Sequence, residues 1–362
     1  MKTLTNPVEL MTTSGVIALA NLNVQIDSLE AAAQWVDLVD LLLLRGQVLG
    51  RIADYERAAT LAKQLVCTAP TDATAFLLRA RTQATFHRFE EALADLATAE
   101  QLDATLDGVD AERAAIFQAL GRYDDALVLR RYAVERRPAF ATLGALAGLL
   151  AEYKEIAEAE RLFSEARRRY QGVSPFPVAL LDFQRGVMWL EHRALNTARI
   201  WFAAAQRRVP AYAPALGHLA EVDAAQGERA TAIKGLRPLV ACSDDPEYAA
   251  LLANLLHEDG QIQEAHWWRT KAANRYDELT LRHPAAFADH AAEFWLTAGA
   301  NVKKAVQLAR QNLAIRQTPR AYALLRRAAL AGASHRKAEI KDTGNGIRPL
   351  SKPNAAPLIP YS

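Results

Sequence analysis

The sequence is poor in the residues that mark several other classes of protein. It contains only 2 cysteines, Cys67 and Cys242, and these lie far apart in the chain. Such a pair forms neither a disulfide framework nor a metal-binding motif, so we expect both thiols to be buried as small hydrophobic groups. Glycine is also scarce, with 17 residues, and no alternating β-branched segment stands out. These absences favour an all-α protein.

The chain has neither a surplus of charge nor a long apolar segment. Its formal net charge is +2, and both signs are spread along the sequence, which gives no electrostatic basis for binding nucleic acid. The apolar run at residues 38–44 is short and contains Asp40, whereas a membrane-spanning helix needs ~20 apolar residues. We therefore expect neither a nucleic-acid partner nor a membrane span.

The N-terminal segment carries a weak candidate for a targeting signal. Residues 15–20, GVIALA, are apolar and end in an Ala-x-Ala pattern, and Lys2 precedes them. A secretory signal has a longer apolar centre, and Glu9 and several threonines disturb this one. We interpret the protein as cytoplasmic, and export is the alternative if residues 1–20 act as a weak signal sequence.

Motifs of catalysis and of cofactor binding are missing from the sequence as well. It contains no phosphate-binding glycine loop, no HExxH and no GxSxG with triad partners. Each of these motifs positions groups that the corresponding chemistry requires. We therefore predict a protein that is not an enzyme and that uses no cofactor.

What the sequence does contain is a repeat of about 34 residues, a period typical of helix–turn–helix arrays. A small residue recurs at this spacing inside an apolar run, at Ala58, Ala92, Ala126, Ala159, Ala198, Ala232, Ala265 and Ala305. A second small residue stands twelve positions earlier in the first seven copies, from Gly46 to Ala253. Two helices that cross closely need a residue without bulk at their contact. The repeat therefore predicts units of two antiparallel helices.

Turn residues mark the boundaries of these units. Gly121, Gly227 and Gly260 fall where first helices end, and glycine tolerates the left-handed cap that often terminates a helix. Proline cannot continue a helix. Prolines close three of the units, at Pro70, Pro138 and Pro210.

This pattern resembles the tetratricopeptide repeat (TPR) family over roughly residues 39–331. The resemblance implies an all-α solenoid of antiparallel helix pairs, a right-handed superhelix whose first helices line a concave groove. In this family the groove usually binds a peptide or another protein. We expect a mobile segment at residues 1–26, about eight repeats plus a capping helix at residues 27–331, and a disordered tail at residues 332–362. A capping-box pattern predicts that the first helix begins near Ser28.

The resemblance also places the groove residues, which lie one helical turn apart on the first helices. They are Gln47, Arg81, Ala115, Gly148, Phe183, Val187, Glu221, Asn254, His290 and Phe294. The third and fourth repeats offer only alanine and glycine there, followed by Phe183 and Val187. Such a bare floor beside an aromatic wall would admit a bulky apolar side chain of a partner. The alternative is that the superhelix closes on itself there, or that the small residues reflect composition alone.

Histidines gather in the later repeats. His218 and His257 are candidate metal ligands together with Glu221, because histidine and carboxylate groups bind zinc and other transition metals. The alternative is that these residues provide polar lining of the groove or lie at capped helix ends, and we favour this alternative.

Arginines recur at one position of the first helices. They are Arg45, Arg79, Arg113 and Arg185. A ladder of guanidinium groups would bind an acidic partner or phosphates. The alternative, which we favour, is that the long stems pack along the helices while the charged groups remain in water.

The sequence therefore predicts a non-enzymatic scaffold or adaptor that binds a partner protein or peptide in its concave groove. One alternative is a metal- or small-ligand-responsive protein that uses the histidine-rich repeats six to eight. Another is a structural component that self-assembles through the tryptophan-rich C-terminal half, so a homo-oligomer is possible.

A substitution at Phe183 tests the predicted groove. If this ring faces a partner, Phe183→Ala leaves helicity intact and weakens partner binding, since only an interface contact is removed. Circular dichroism and partner capture measure the two effects. A collapse of thermal stability would instead place Phe183 in the core.

Overall fold

The computed structural model describes residues 10–102 and 106–344, and these two ranges contain eighteen helices and no strand. The helices are α1 (Gly15–Ala31), α2 (Trp35–Leu49), α3 (Ile52–Thr68), α4 (Ala73–Thr85), α5 (Phe89–Gln101), α6 (Leu106–Leu120), α7 (Tyr123–Arg136), α8 (Phe140–Glu152), α9 (Ile156–Arg168), α10 (Phe176–Glu191), α11 (Leu195–Arg208), α12 (Ala213–Ala225), α13 (Arg229–Cys242), α14 (Pro246–Glu258), α15 (Ile262–Arg282), α16 (Pro284–Leu296), α17 (Val302–Ile315) and α18 (Pro319–Gly344). None of the helices in these ranges is long and apolar enough to cross a bilayer.

Consecutive helices pack in pairs, which are α2 with α3, α4 with α5, α6 with α7, α8 with α9, α10 with α11, α12 with α13 and α16 with α17. The two helices of a pair are joined by two residues at the shortest turns, between Leu49 and Ile52 and between Leu120 and Tyr123, and by five at the longest, between Leu296 and Val302. Such short turns make the paired helices antiparallel. The predicted all-α solenoid of helix pairs is confirmed, and α18 follows the eighth pair.

Small residues lie where the helices of a pair cross. All eight alanines of the repeat, from Ala58 to Ala305, are buried. The glycines twelve positions before two of them show why bulk is excluded. A Cβ added at Gly46 would lie 2.6 Å from the Tyr55 ring, and one added at Gly186 would lie 2.6 Å from the Phe202 ring. The recurrence of small residues in the sequence therefore reflects a steric requirement of close helix packing.

The turns inside the pairs use left-handed backbone whether or not glycine is present. Gly121, Gly227 and Gly260 have φ of 85°, 88° and 81°, as the sequence predicted. His87 and Lys154 take the same turn with φ of 55° and 63°. A residue with a Cβ is strained there, so the turn geometry is imposed by the packing of the helices on either side.

The N-terminal helix begins earlier than the sequence indicated. We predicted a start near Ser28 and a segment without pattern through residue 26, but α1 begins at Gly15. Leu22 and Ile26 are buried against α2, so tertiary packing stabilises a helix that its own sequence pattern does not reveal. Residues 1–9 lie outside the described residues.

The cysteine prediction was wrong. Cys67 and Cys242 are both exposed, near the ends of α3 and α13. Each lies at the C-terminal end of a second helix, where the packed face has ended. Helix α15 is longer than the other second helices, extending to Arg282, and it buries Tyr276 and Leu279. The final helix reaches Gly344, and residues 345–362 of the predicted tail lie outside the described residues.

The chain divides into two compact units, Met1–Tyr248 and Ala249–Ser362, called unit 1 and unit 2 below. Unit 1 has several apolar clusters, including one around Phe163 and Leu150. Unit 2 has its own aromatic packing, in which the rings of Tyr276 and Phe294 stack with centroids 5.0 Å apart.

Buried ion pairs bind the first helix of several pairs to the second. Arg45 donates to both carboxylate oxygens of Asp54 at 2.8 and 2.7 Å, and Arg79 donates to both oxygens of Asp95 at 2.7 Å. These two-bond pairs fix the relative position of the helices, because a planar guanidinium fits a carboxylate in only one orientation. The recurring arginines therefore form ion pairs with carboxylates of their own chain. From the sequence alone, we considered only an acidic partner, phosphates or water around these charges.

We expect Asp95→Ala to lower the free energy of unfolding by about 1–3 kcal/mol, because Asp95 is only 6% exposed and its loss leaves the Arg79 charge without its carboxylate. Chemical denaturation followed by circular dichroism measures the change. Asp125→Ala is the matched control, since its pair with Arg122 is about half exposed and should change stability by less than about 0.5 kcal/mol. Equal effects would contradict the structural role of the buried pair.

Candidate binding groove

The first helices α6 and α8 present a surface almost without side chains. Ala111 and Ala115 are exposed, and a Cβ added at Gly148 would meet no atom within 4 Å. Gly144, one turn earlier, differs because its added Cβ would lie 2.8 Å from a Leu181 methyl group. Ala111, Ala115 and Gly148 therefore form an open surface, called the small-residue floor below.

Polar side chains link the first helices beside this floor. Arg81 of α4 donates to Asp40 of α2 at 3.0 Å and to Glu112 of α6 at 2.7 Å. Burial lowers the pKa of Arg81, but the two carboxylates outweigh this effect, so the net shift of its pKa is upward. Gln118 of α6 donates to Glu152 of α8 at 2.5 Å. The margin of the floor thus offers hydrogen-bonding groups, among them one guanidinium and three carboxylates.

Phe183 is part of a packed aromatic cluster. Its ring centroid lies 5.5 Å from that of Tyr212, 5.7 Å from Phe202 and 5.4 Å from His218, while Val187 packs against the same cluster. The expected open aromatic wall is therefore half-buried and joins α10, α11 and α12. Its exposed edge is all that remains for a partner.

The predicted metal candidates come together only in part. His218 Nδ1 lies 2.6 Å from Glu221 Oε2, and the His218 ring stacks on Phe202. His257 is exposed and belongs to unit 2. Within the described ranges, no three His, Cys, Asp or Glu side chains meet as a metal-ligand set. His218 and Glu221 instead form a polar pair at the edge of the aromatic cluster.

The groove residues predicted in unit 2 have mixed positions. Asn254 and His290 are half-buried. Phe294 is only 3% exposed, and its ring packs between Tyr276 and Trp295. The assignment of Phe294 to the groove was wrong, because α15 is longer than a standard second helix and its added turns place Tyr276 over this ring.

Unit 1 closes on itself, which is the alternative that the sequence left open. Helix α2 packs against α12, and the chain just before α1 is held at the end of α11. Arg208 donates to the Leu10 carbonyl oxygen at 3.2 Å and to Thr12 Oγ1 at 3.0 Å. The Thr13 amide donates to the Val173 carbonyl oxygen at 2.8 Å. We call this contact between the first and later repeats of unit 1 the seam.

The second half of the seam lies at the turn between α2 and α3. The Asp244 carboxylate accepts hydrogen bonds from the backbone amides of Ile52 at 2.6 Å and Ala53 at 3.1 Å. Ser243 Oγ donates to the Gly50 carbonyl oxygen at 2.5 Å. Gly50 has φ of 61°, and an added Cβ would lie 3.0 Å from the Tyr248 ring. Only glycine allows this approach.

The interior of the seam is apolar and incompletely filled. Burial raises the pKa of the Tyr212 hydroxyl, and Tyr55 raises it further. Between α2 and the start of α10 lies a cavity of about 230 Å³. Its lining residues are Leu44, Gln47, Val48, Ser174, Phe176, Pro177, Ala179, Leu180, Val209 and Tyr212. Gln47, a predicted groove residue, is therefore exposed at the margin of the seam cavity.

Helix pairs of about 34 residues, joined by short turns and closed by a further helix, define a TPR-type α-helical repeat protein. No protein-family model matches the chain. No curated protein matches it either.

Solved structures resemble the chain at low sequence identity. PilW, a widely conserved type IV pilus biogenesis factor, is 17% identical over 59% of this chain and 94% of its own, with a TM-score of 0.45. A tetratricopeptide repeat protein from Parabacteroides merdae is 14% identical over 76% of this chain and 98% of its own, with a TM-score of 0.43. The APC/C hetero-tetramer Cut9–Hcn1 matches 85% of this chain and 59% of its own at 15% identity, with a TM-score of 0.49.

Sequence reasoning missed the residues of the seam. Asp244 and Ile52 are about 190 positions apart, and no periodicity connects them. Gly15 and Gly50 were the only available signals, because both lie where another part of the chain approaches closely. In the sequence, however, they look like ordinary glycines of a signal-like segment and of a helix end.

We expect Phe183→Ala to lower the free energy of unfolding by about 1.5–3 kcal/mol, since it removes a half-buried ring from the aromatic cluster. This replaces the expectation of unchanged stability. Thermal and chemical denaturation measure the loss, with Tyr132→Ala on exposed α7 as control. A loss no larger than that of the control would show that the ring is a free groove surface.

Proposed function

We propose that the protein is a non-enzymatic scaffold or adaptor that binds a protein or peptide partner on the small-residue floor of unit 1. The observation that carries the proposal is the open space at Gly148 beside exposed Ala111 and Ala115. A helix surface without bulk lets a partner's backbone or a large apolar side chain approach closely, and a preformed surface limits the entropy lost on binding.

The destabilising effect of a glycine inside α8 supports the assignment of Gly148 to a binding surface. A glycine inside a helix is less stable than alanine by roughly 0.5–1 kcal/mol. Gly46 and Gly186 are required by neighbouring rings, but no neighbour requires Gly148. The internal packing of unit 1 therefore does not explain this glycine, whereas close approach of a partner does.

The polar margin supports a protein partner rather than nucleic acid. Arg81 is neutralised by Asp40 and Glu112, and the formal net charge of the chain is only +2. A polyphosphate backbone requires an uncompensated basic surface. A polypeptide with apolar side chains and backbone hydrogen-bonding groups suits this floor and its margin better.

The proposal also covers the domain organisation of the chain and its location in the cell. The helix pairs from α2 to α17 would act as the binding array, preceded by α1 and followed by α18. The two exposed thiols suit a reducing compartment, so we propose the cytoplasm. Self-assembly is the second candidate function, because Trp267 is 55% exposed and packs edge-on against Trp268.

A bulky residue placed on the floor tests the proposal. Gly148→Trp should remove specific partners from those that the wild-type chain captures from source-cell lysate, because the new ring fills the open space. Mass spectrometry identifies the captured proteins, and circular dichroism should show unchanged helicity.

Gly235→Trp is the matched control. Gly235 also has no atom within 4 Å of an added Cβ, but it lies on α13, the second helix of its pair. The control should capture the wild-type set of partners. Identical partner sets for wild type, Gly148→Trp and Gly235→Trp would refute binding at the floor.

A further inference from the structure

We propose that residues 10–68, which comprise α1–α3 and the segment before them, act as a releasable latch that closes unit 1 onto α11–α13. Release would separate α2 from α12 and expose the first-helix face of α2 beside the floor. The inference goes beyond the proposed function, because it concerns access to the groove rather than what binds there.

Helix α3 has an unusual N-terminal cap. The amides at a helix N-terminus have no partner within the helix and usually bond to a nearby side chain. Arg51, which precedes α3, provides no such bond. Asp244 provides it from about 190 positions away, at 2.6 Å from the Ile52 amide and 3.1 Å from the Ala53 amide. The cap of this helix therefore exists only while the seam is closed.

The polar contacts of the seam can be exchanged for water at moderate cost. The Ala53–Asp244 bond is exposed, and the Arg208 bonds to Leu10 and Thr12 are partly buried. Water can replace each partner when the seam opens, whereas a buried group would remain unsatisfied.

The apolar part of the seam contains a pocket of about 230 Å³ that opens to solvent between α2 and the start of α10. Atoms on the walls of this pocket lack the contacts that a close-packed core provides. Val48 and Tyr212 are buried there, but Gln47 on the same helix is exposed. The closed state is favoured by partial burial rather than by a complete core.

Closure of the seam is nevertheless specific. An added Cβ at Gly15 would overlap the carbonyl oxygen of Arg208, and one at Gly50 would lie 2.7 Å from Ser243 Oγ. Two glycines at separate ends of the seam thus permit one defined approach. A specific but incompletely packed contact is the arrangement expected of two states, with a minor open state of roughly 0.1–10%.

The native cysteines allow the latch to be measured in the full chain. Cys67 lies on α3 and Cys242 ends α13, both are exposed, and the sequence has no other cysteine. Spin labels on these two thiols report the distance between the latch and its receiving side by pulsed dipolar spectroscopy. Wild type should give one dominant distance.

We expect Asp244→Ala to raise the population of longer distances roughly tenfold, because two hydrogen bonds to a charged group are lost. Gly15→Ala should also raise the population of longer distances, since it disturbs the opposite end of the seam. Asp72→Ala is the matched control. Asp72 caps its own helix by accepting from the Thr74 amide at 2.9 Å, so its loss should leave the distance distribution unchanged.

An unchanged distance distribution in both Asp244→Ala and Gly15→Ala, with native helicity, would overturn the latch. Loss of helicity in both variants would also overturn it, because closure would then be required for folding. The measurement uses no partner, so failure of the latch leaves binding at the floor to be judged by the Gly148 variants. Failure of the Gly148 experiment likewise leaves the distance measurement valid.

Discussion

The close crossing of paired helices at small residues is the contact on which the rest of the structure depends. Each pair has a buried alanine on its second helix, and two first helices have a glycine, Gly46 or Gly186, opposite an aromatic ring of the second helix. Replacing such a residue would force the helices apart, and the turn that joins them would no longer fit. The left-handed turns at His87 and Lys154 show that this packing is strong enough to impose backbone strain.

The arginines of the first helices form ion pairs mainly with carboxylates of the same chain. Arg45 and Arg79 bind buried carboxylates of the following helix, and Arg81 joins three first helices through two carboxylates. The repeats therefore gain fixed geometry from their arginines, whose charges are matched by carboxylates of the same chain. A partner would be selected by shape and by apolar contact, with hydrogen bonds at the margin setting its position.

The seam determines how much of the groove of unit 1 is open. With the seam closed, the predicted aromatic wall at Phe183 is packed against Tyr212 and His218, and the floor on α6 and α8 remains accessible. The proposed binding site and the proposed latch are thus complementary. The first concerns a surface that is open in the structure, and the second concerns the α2 face that closure restricts.

Local periodicity in the sequence determined the helix pairs, their turns and the helix that follows them, because residues three, four and thirty-four positions apart report the faces of helices and their stacking. It also placed Ala115 and Gly148 on the predicted groove face, and in the structure Ala115 is exposed while an added Cβ at Gly148 meets no atom. Only the tertiary structure decided that Phe183 is half-buried, that Phe294 is core, that the cysteines are exposed and that Asp244 caps α3. These outcomes depend on contacts between segments as much as 190 positions apart, which no local pattern encodes.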